Sequence, residues 1–459
     1  MLETISPIDG SIYFSQAYAD NNTVQRALEK ANIAQKTWQQ TTISTRASIC
    51  RRAIDYFLQE KDEIAKEITW QMGRPLCQSP GEIAGLAERA YYMIDIAETA
   101  LADVTLPNKE NFTRFIRRHP LGVVLTVAPW NYPYLTTVNS VIPAIMAGNS
   151  VILKPSSQTP LTASRFAAAF QAAGLPDNVF QSLFLDHRQT EQLIQSDDIH
   201  YIVFTGSVTG GQTIQKALSE QFKGIGLELG GKDPAYVCAD AELTKTVENL
   251  VDGTFFNAGQ SCCGIERIYV HESLFDDFVD QYVALVKHYR LGNPLEETTT
   301  LGPVVRNSAA EFIRQQIDEA LRQGATALIA NTDYPNNLGE NYLIPQVLIN
   351  VDHDMRIMRE ETFGPAVGIM SVKTDAEAIA LMNDSPYGLT ASIWTNDEER
   401  ALSIGTRIET GTCFMNRCDY LDPALAWTGV KNSGRGVTLS ALGYEYLTRV
   451  KSYHFRQMI

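Results

Sequence analysis

Between Thr23 and Trp38 the apolar positions Val24, Leu28, Ala31, Ala34 and Trp38 fall mostly at helical spacing, and from Ile49 to Met72 apolar side chains again recur among charges. This predicts amphipathic helices and a helix-rich N-terminal segment. Past that segment the pattern changes. Short apolar runs bounded by glycine and proline, at Val123–Ala128, Val151–Leu153, Tyr201–Phe204, Tyr236–Val237 and Arg267–Val270, read as buried strands. Helical stretches at Leu161–Ala173, Gln212–Gln221 and Leu243–Ala258 lie between them, so strands and helices alternate as in right-handed βαβ units around a parallel sheet. The predicted fold class is α/β. No internal repeat, low-complexity tract or flexible linker marks a clean domain boundary.

A chain of 459 residues exceeds one ordinary core, which predicts two or three domains. Hydrophobic residues at 44% and charged residues at 20% give the balance of a globular enzyme, not of a disordered or membrane-spanning chain. With 38 Lys plus Arg against 53 Asp plus Glu, the net charge of −15 offers no broad footprint for nucleic acid or anionic lipid. A pocket for an anionic cofactor remains open, because it rests on a few lysines and backbone N–H groups. The opening Met1–Pro7 has no basic segment followed by an apolar one, and no uncharged run approaches the roughly 20 residues that span a bilayer. A cytoplasmic protein is expected. Its seven cysteines, odd in number and without paired CxxC spacing, fit reduced thiols and indicate no metal site.

Three stretches carry chemistry. In Phe255–Val270 a predicted helix gives way to Gly259 and the two thiols Cys262 and Cys263 before the next strand. A lone cysteine is usually an inert buried thiol, so its context has to decide. In Gly224–Lys232, Glu228 sits among four glycines at the end of an apolar strand. Taken alone it is a solvated turn carboxylate; with Gly-Gly beside it, backbone or substrate can approach closely, and burial would raise its pKa toward that of a general base. In Pro129–Pro133 two prolines fix the backbone and present the Asn131 amide, either as an ordinary turn or as a donor to an oxyanion, worth roughly 3 kcal/mol. Nucleophile, base and oxyanion donor make an acyl-transfer constellation. Phe204–Gly211 follows a strand and opens a helix without fitting G-x-G-x-x-G, yet Gly206 and its neighbours can expose N–H groups to a pyrophosphate and Ser207 adds a hydroxyl. Lys154, ending a strand, can reach a ribose or phosphate.

Together with Lys154–Pro160, Glu361–Pro365, Pro386–Leu389 and Gly429–Gly434, these stretches occur in the order found in the aldehyde dehydrogenase superfamily, which the sequence resembles over nearly its whole length. The resemblance implies a Rossmann-like nicotinamide-dinucleotide domain (1–101 and 121–229) and an α/β catalytic domain (230–446). A small β oligomerisation element (102–120 and 447–459) completes the subunit, its tail strand suited to joining a neighbouring subunit in a homodimer or homotetramer. It further implies that Cys262, the first cysteine after Gly259-Gln260-x, is the nucleophile and Cys263 a bystander. Asn131 and the Cys262 N–H would bind the oxyanion, and Glu228 would activate water. Glu361 and Phe363 would hold the nicotinamide ribose and ring, with Trp130, Lys154, Ser157, Gly206 and Ser207 completing the cofactor site. The implied reaction is NAD(P)-dependent oxidation of an aldehyde to an acid through a Cys262 thiohemiacetal and thioester.

One departure concerns the cofactor. NAD-preferring members commonly carry Glu where this chain has Ser157; a hydroxyl can donate to a 2′-phosphate that Glu would repel, so NADP is favoured and NAD possible. The substrate pocket would be walled by Tyr132, Leu135, Thr136 and Asn139 on one side and Leu421 and Trp427 on the other. Arg417 or Arg267 could anchor a semialdehyde carboxylate, although Arg267 reads better as half of a structural ion pair. Rival functions are a CoA-acylating or phosphorylating reductase, against which Glu228 argues, and a non-enzymatic structural protein, which would be signalled by loss of Cys262, Glu228 or Asn131. All three are present.

Overall fold

Residues 1–335 and 338–458 are described by a computed structural model. The run Val123–Val127 is buried at every position, because it lies inside a parallel sheet covered on both faces. Val124 packs with the helices Ile43–Gln59, Pro80–Ala100, Pro133–Met146 and Leu161–Ala172, while Val123, Leu125 and Val127 face the other layer, with Ala27, Leu28 and Ile214. In order, this sheet contains Gly434–Arg435, Gly224–Glu228, Tyr201–Thr205, Val123–Val127, Ser150–Lys154 and Phe180–Ser182. All neighbours are parallel except the first pair.

A second sheet runs Thr326–Ala327, Gln346–Ile349, Ala366–Val372, Ile265–His271, Asp233–Val237, Thr390–Trp394 and Thr412–Met415, with only the first pair antiparallel. Its two faces are covered by separate apolar clusters. The mixed α/β class is therefore the observed one. A small antiparallel sheet of Thr448–Arg456, Phe112–Pro120 and Val104–Thr105 stands apart. No helix among the described residues is long and apolar enough to cross a membrane.

The helical reading of Ile49–Met72 corresponds to two helices, Ile43–Gln59 and Lys61–Met72, separated at Glu60. Other sequence expectations need correction. The helix expected at Gln212–Gln221 spans Val208–Ala217, because the Ser207 side chain caps it by accepting the Gly210 N–H. The helix expected to reach Ala258 ends at Phe255 and passes into a tight turn. An N-terminal hairpin, Leu2–Ile5 with Ile12–Gln16, precedes the helices. Gly434–Arg435, assigned by sequence to the catalytic part, pairs with Leu227–Glu228 of the first sheet. The tail strand Thr448–Arg456 pairs over its full length with Phe112–Pro120 of its own chain, leaving its other edge open among the described residues.

Candidate active site

The turn after Phe255 brings the thiols into place. Asn257, Ala258 and Gly259 follow one another in the left-handed region, at φ 53°, 54° and 70°. Asparagine and glycine adopt it readily, whereas alanine stores strain of order 1 kcal/mol. The turn is held by Arg74 Nε donating to Asn257 Oδ1 (3.1 Å), the Asn257 N–H to Gln78 Oε1 (3.1 Å) and the Val305 N–H to Gln260 Oε1 (2.8 Å). It projects Cys262 into a cleft of about 1200 Å³. Cys263 is buried instead, its Sγ donating to Asp419 Oδ1 (3.0 Å), and its hydrogen bond with Cys262 together with burial holds that thiol well above the usual range. A side chain at Gly231 would collide with the Cys262 carbonyl, which is the close approach its Gly-Gly pair allows.

Glu228 closes its strand on the wall of the same cleft. Its parallel partner in the sheet is Thr205, whose Oγ1 donates to Oε2 (2.9 Å); Thr438 Oγ1 donates to Oε1 (2.6 Å). Burial raises the carboxyl pKa, opposed by these two hydroxyls and by the Arg89 charge. On its far side lies a cavity of about 20 Å³, lined also by Asn139, Trp427 and Thr438. That is room for about one water molecule.

Asn131 sits between the strand Val123–Val127 and the helix Pro133–Met146. Its Nδ2 donates to the Gln260 carbonyl (3.2 Å), so the amide lies against the Cys262 turn, and its own carbonyl accepts from Arg74. Arg74 also pairs with Glu82, both side chains being at most 1% exposed, and its guanidinium stacks 4.4 Å above the Tyr132 ring. Glu82 Oε1 in turn accepts the N–H groups of Tyr134 (2.7 Å) and Leu135 (3.2 Å), supplying the helix cap that no local side chain provides.

Trp130, Lys154, Ser157, Gly206, Ser207, Glu361 and Phe363 line the cleft that holds Cys262, Glu228 and Asn131. Most of them stand at the carboxyl ends of the first sheet's strands or just beyond, where open α/β sheets place ligands. Trp130 and Phe363 meet edge to face at 5.6 Å. Phe363 has φ 52°, and its N–H donates to Glu266 Oε1 (2.8 Å), itself paired with buried Lys232 (2.6 Å). Glu361 accepts the Gly231 N–H (2.9 Å); burial, then the Glu266 charge, pushes its carboxyl up to about 7. Burial lowers the Lys154 pKa, and Ser157 is exposed, its carbonyl accepting from Thr4 Oγ1 (2.8 Å). Gly206 and Gly210 form a cradle against the Phe204 ring that any side chain would fill. A glycine cradle, a lysine, two hydroxyls, a carboxylate and two rings fit the phosphates, riboses and ring of a dinucleotide.

The substrate-wall residues divide. Leu421 is half-buried and packs in the cluster that includes Cys262, while Trp427 is buried behind Glu228, its backbone paired with Thr438. Leu135 packs against Gly85, and Thr136 Oγ1 donates to the Tyr132 carbonyl (2.8 Å). Arg267 forms no ion pair among the described residues and lies inside the second sheet, away from the cleft lining. It is 1% exposed and donates to the Lys232, Leu381 and Met382 carbonyls at 2.9–3.2 Å, bracing the second sheet. Arg417 is exposed and stacks on Tyr420, 3.4 Å from its ring centre.

Comparison with known proteins settles the family. The model of the aldehyde dehydrogenase family matches residues 1–453. The chain belongs to that family. It is 34% identical to an aldehyde dehydrogenase of Paenarthrobacter nicotinovorans over 98% of this chain and 99% of that protein. It is 32% identical to a succinate-semialdehyde dehydrogenase [NADP(+)] of Deinococcus radiodurans over 98% and 93% of the two chains. The crystal structure of succinic semialdehyde dehydrogenase from Streptococcus pyogenes in complex with NADP+ superposes with a TM-score of 0.95 at 27% identity, covering 99% of this chain and 100% of that one.

Sequence reasoning missed Arg74, Glu82, Arg89, Thr205, Asn257, Asp419 and Thr438. Glu82 and Arg89 had a signal: they lie on the apolar stripe of the helix Pro80–Ala100 with Leu86, Met93 and Ala97, where a charge has to be explained.

Proposed function

We propose that this family member oxidises an aldehyde to a carboxylic acid with NADP favoured over NAD, using Cys262 as nucleophile and Glu228 as base. The observation that carries this reading is the convergence of Cys262, Glu228, Asn131 and the dinucleotide-type donor set on one cleft. Cys262 Sγ attacks the carbonyl carbon, forming the C–S bond. Asn131 Nδ2 spends one hydrogen on Gln260 and keeps the other for the oxygen that gains charge, joined by the Cys262 N–H. A bound nicotinamide dinucleotide would supply the hydride acceptor, held by Lys154, Ser157, Gly206, Ser207, Glu361, Trp130 and Phe363. The thioester left on Cys262 is hydrolysed by water whose proton passes to Glu228, releasing the acid and the free thiol. Ser157, in place of a carboxylate, supports NADP, and relatives named as NADP(+) enzymes point the same way. The names of those relatives also bring a semialdehyde forward as substrate. The open edge of Thr448–Arg456 supports assembly with a second copy.

The test is rapid mixing of Glu228→Gln with aldehyde and NADP. A burst of reduced cofactor followed by slow turnover is expected; steady-state turnover equal to wild type would sink the assignment of Glu228 as the hydrolytic base.

A further inference from the structure

Two arginines are buried near the reacting thiol, and they differ in how their donors are used. Arg74 is fully engaged: Nε, Nη1 and Nη2 each have an oxygen partner, on Asn257, Glu82 and Asn131. Arg89, 6% exposed on the helix Pro80–Ala100, is not. Its Nη1 donates to the Leu135 carbonyl (2.8 Å) and to Asn139 Oδ1 (3.4 Å), which ties the group to the helix walling the substrate side. Its Nε and Nη2 have no acceptor among the described residues, yet neither is sealed off from open space. Beside them Asn139 Nδ2 is a buried donor also without an acceptor.

A buried guanidinium needs acceptors for its donors: Arg267 finds them on backbone carbonyls, whereas Arg89 leaves Nε and Nη2 unmet among the described residues, an edge that suits an anion. The acids around it are engaged elsewhere. Glu228 accepts the Thr205 and Thr438 hydroxyls, and Asp419 accepts Ser261 Oγ (2.9 Å) and Cys263 Sγ (3.0 Å). No carboxylate pairs with Arg89 among the described residues, although Glu228, Cys262 and Cys263 are all close enough to feel its charge. The unpaired edge, Nε with Nη2, is the one that binds both oxygens of a carboxylate in parallel.

We propose that Arg89 is the specificity-determining anchor of the substrate pocket, taking the carboxylate at the far end of an ω-carboxy aldehyde on its Nε–Nη2 edge with Asn139 alongside. This rests on the aldehyde-oxidising reading above and narrows its substrate to anionic aldehydes. The anchor comes from a helix that neither Arg267 nor Arg417 belongs to, and it is tied through the Leu135 carbonyl to the helix that follows Asn131.

The experiment compares 4-oxobutanoate with 4-methylpentanal, in which an isopropyl group replaces the carboxylate, both with NADP. Wild type should favour the carboxylated aldehyde, and Arg89→Met should lower the ratio of the two kcat/KM values by about a hundredfold, mainly through KM. Arg89→Lys, keeping the charge but not the fork, should fall between. A rival role as counter-ion to Glu228 would depress both aldehydes equally and leave the ratio in place, overturning the proposal; an unchanged Arg89→Met would do the same. If Arg89→Met does not fold, wild type decides: glutarate should compete with 4-methylpentanal and glutaramide should not, and equal behaviour of the two overturns the anchor. Oxidation of 4-methylpentanal without preference for 4-oxobutanoate sinks the anchor alone, whereas oxidation of neither aldehyde sinks the anchor and the underlying reading together.

Discussion

Thr438→Val removes one hydroxyl from Glu228 and little else. Valine keeps the β-branched shape, and the backbone pairing of Thr438 with Trp427 does not involve the side chain that changes. The lost bond is the 2.6 Å contact from Oγ1 to Glu228 Oε1. A hydrogen bond to a charged acceptor contributes about 1.5–3 kcal/mol, and 1.36 kcal/mol corresponds to one pH unit, so the variant carboxyl should titrate about 1–2 pH units higher. The sign follows from the groups present. Burial already raises this pKa, the hydroxyl stabilises only the ionised form, and removing it lets burial act with less opposition. Because the base works when ionised, the limb on which kcat rises with pH should move upward. At pH values below both limbs kcat should fall by about 10- to 100-fold, and above both it should recover. The burst of reduced cofactor, which precedes hydrolysis, should persist. Thr205→Val, losing a 2.9 Å contact, should move the limb the same way by less, and the double variant need not be additive because both hydroxyls act on one carboxylate. A limb that stays in place or moves down in Thr438→Val, with the protein folded, would refute the idea that these hydroxyls tune the base.

Cys262→Ala should abolish oxidation of every aldehyde and Cys263→Ala should retain most of it, checked by steady-state assay; equal loss in two folded variants would give Cys263 a role it lacks here. Ser157→Glu should shift the kcat/KM ratio from NADP toward NAD by roughly tenfold per 1.4 kcal/mol of repulsion, mainly in KM for NADP, and an unchanged ratio would place 2′-phosphate recognition elsewhere.

The central strands of the first sheet were legible because both faces are covered, which turns them into continuous apolar runs such as Val123–Val127, whereas the short edge strands Phe180–Ser182 and Gly434–Arg435 were not read. The break at Glu60 was not legible, since no glycine or proline marks it, although its backbone leaves the helical region at φ −92° and ψ 8°. Gly210 and Gly211 were read as opening a helix that starts at Gln212, but they already lie in its first turn, capped by Ser207. Cys262, Glu228 and Asn131 announced themselves through the glycines and prolines that shape their loops. The hydroxyls that support Glu228 did not: Thr438 is 210 positions away, and an ordinary threonine in a loop carries no pattern.

The difference between the legible and the hidden residues is one of physics. Glu228 and Asn131 stand at or just past the carboxyl ends of strands and Cys262 on a turn that follows a helix, all in or beside loops whose backbone demands glycine, proline or asparagine, so composition betrays them. Groups that orient them are buried pairs inside helices and between layers. Arg74 with Glu82 fixes Asn131, and Lys232 with Glu266 fixes Phe363, through bonds from regions separated in sequence. Such pairs are poor devices for stability, because desolvation offsets much of their attraction, yet removing one partner leaves a buried charge at a cost of about 3–5 kcal/mol. Their location beside Asn131 and Phe363 identifies what they achieve: each locks a strained or uncapped backbone segment in a single geometry. Arg89 is buried as they are but pairs with no carboxylate among the described residues and, unlike Arg267, leaves Nε and Nη2 without acceptors there; that asymmetry, visible only once the helices are packed, marks it as a group that binds an anion and not as a brace.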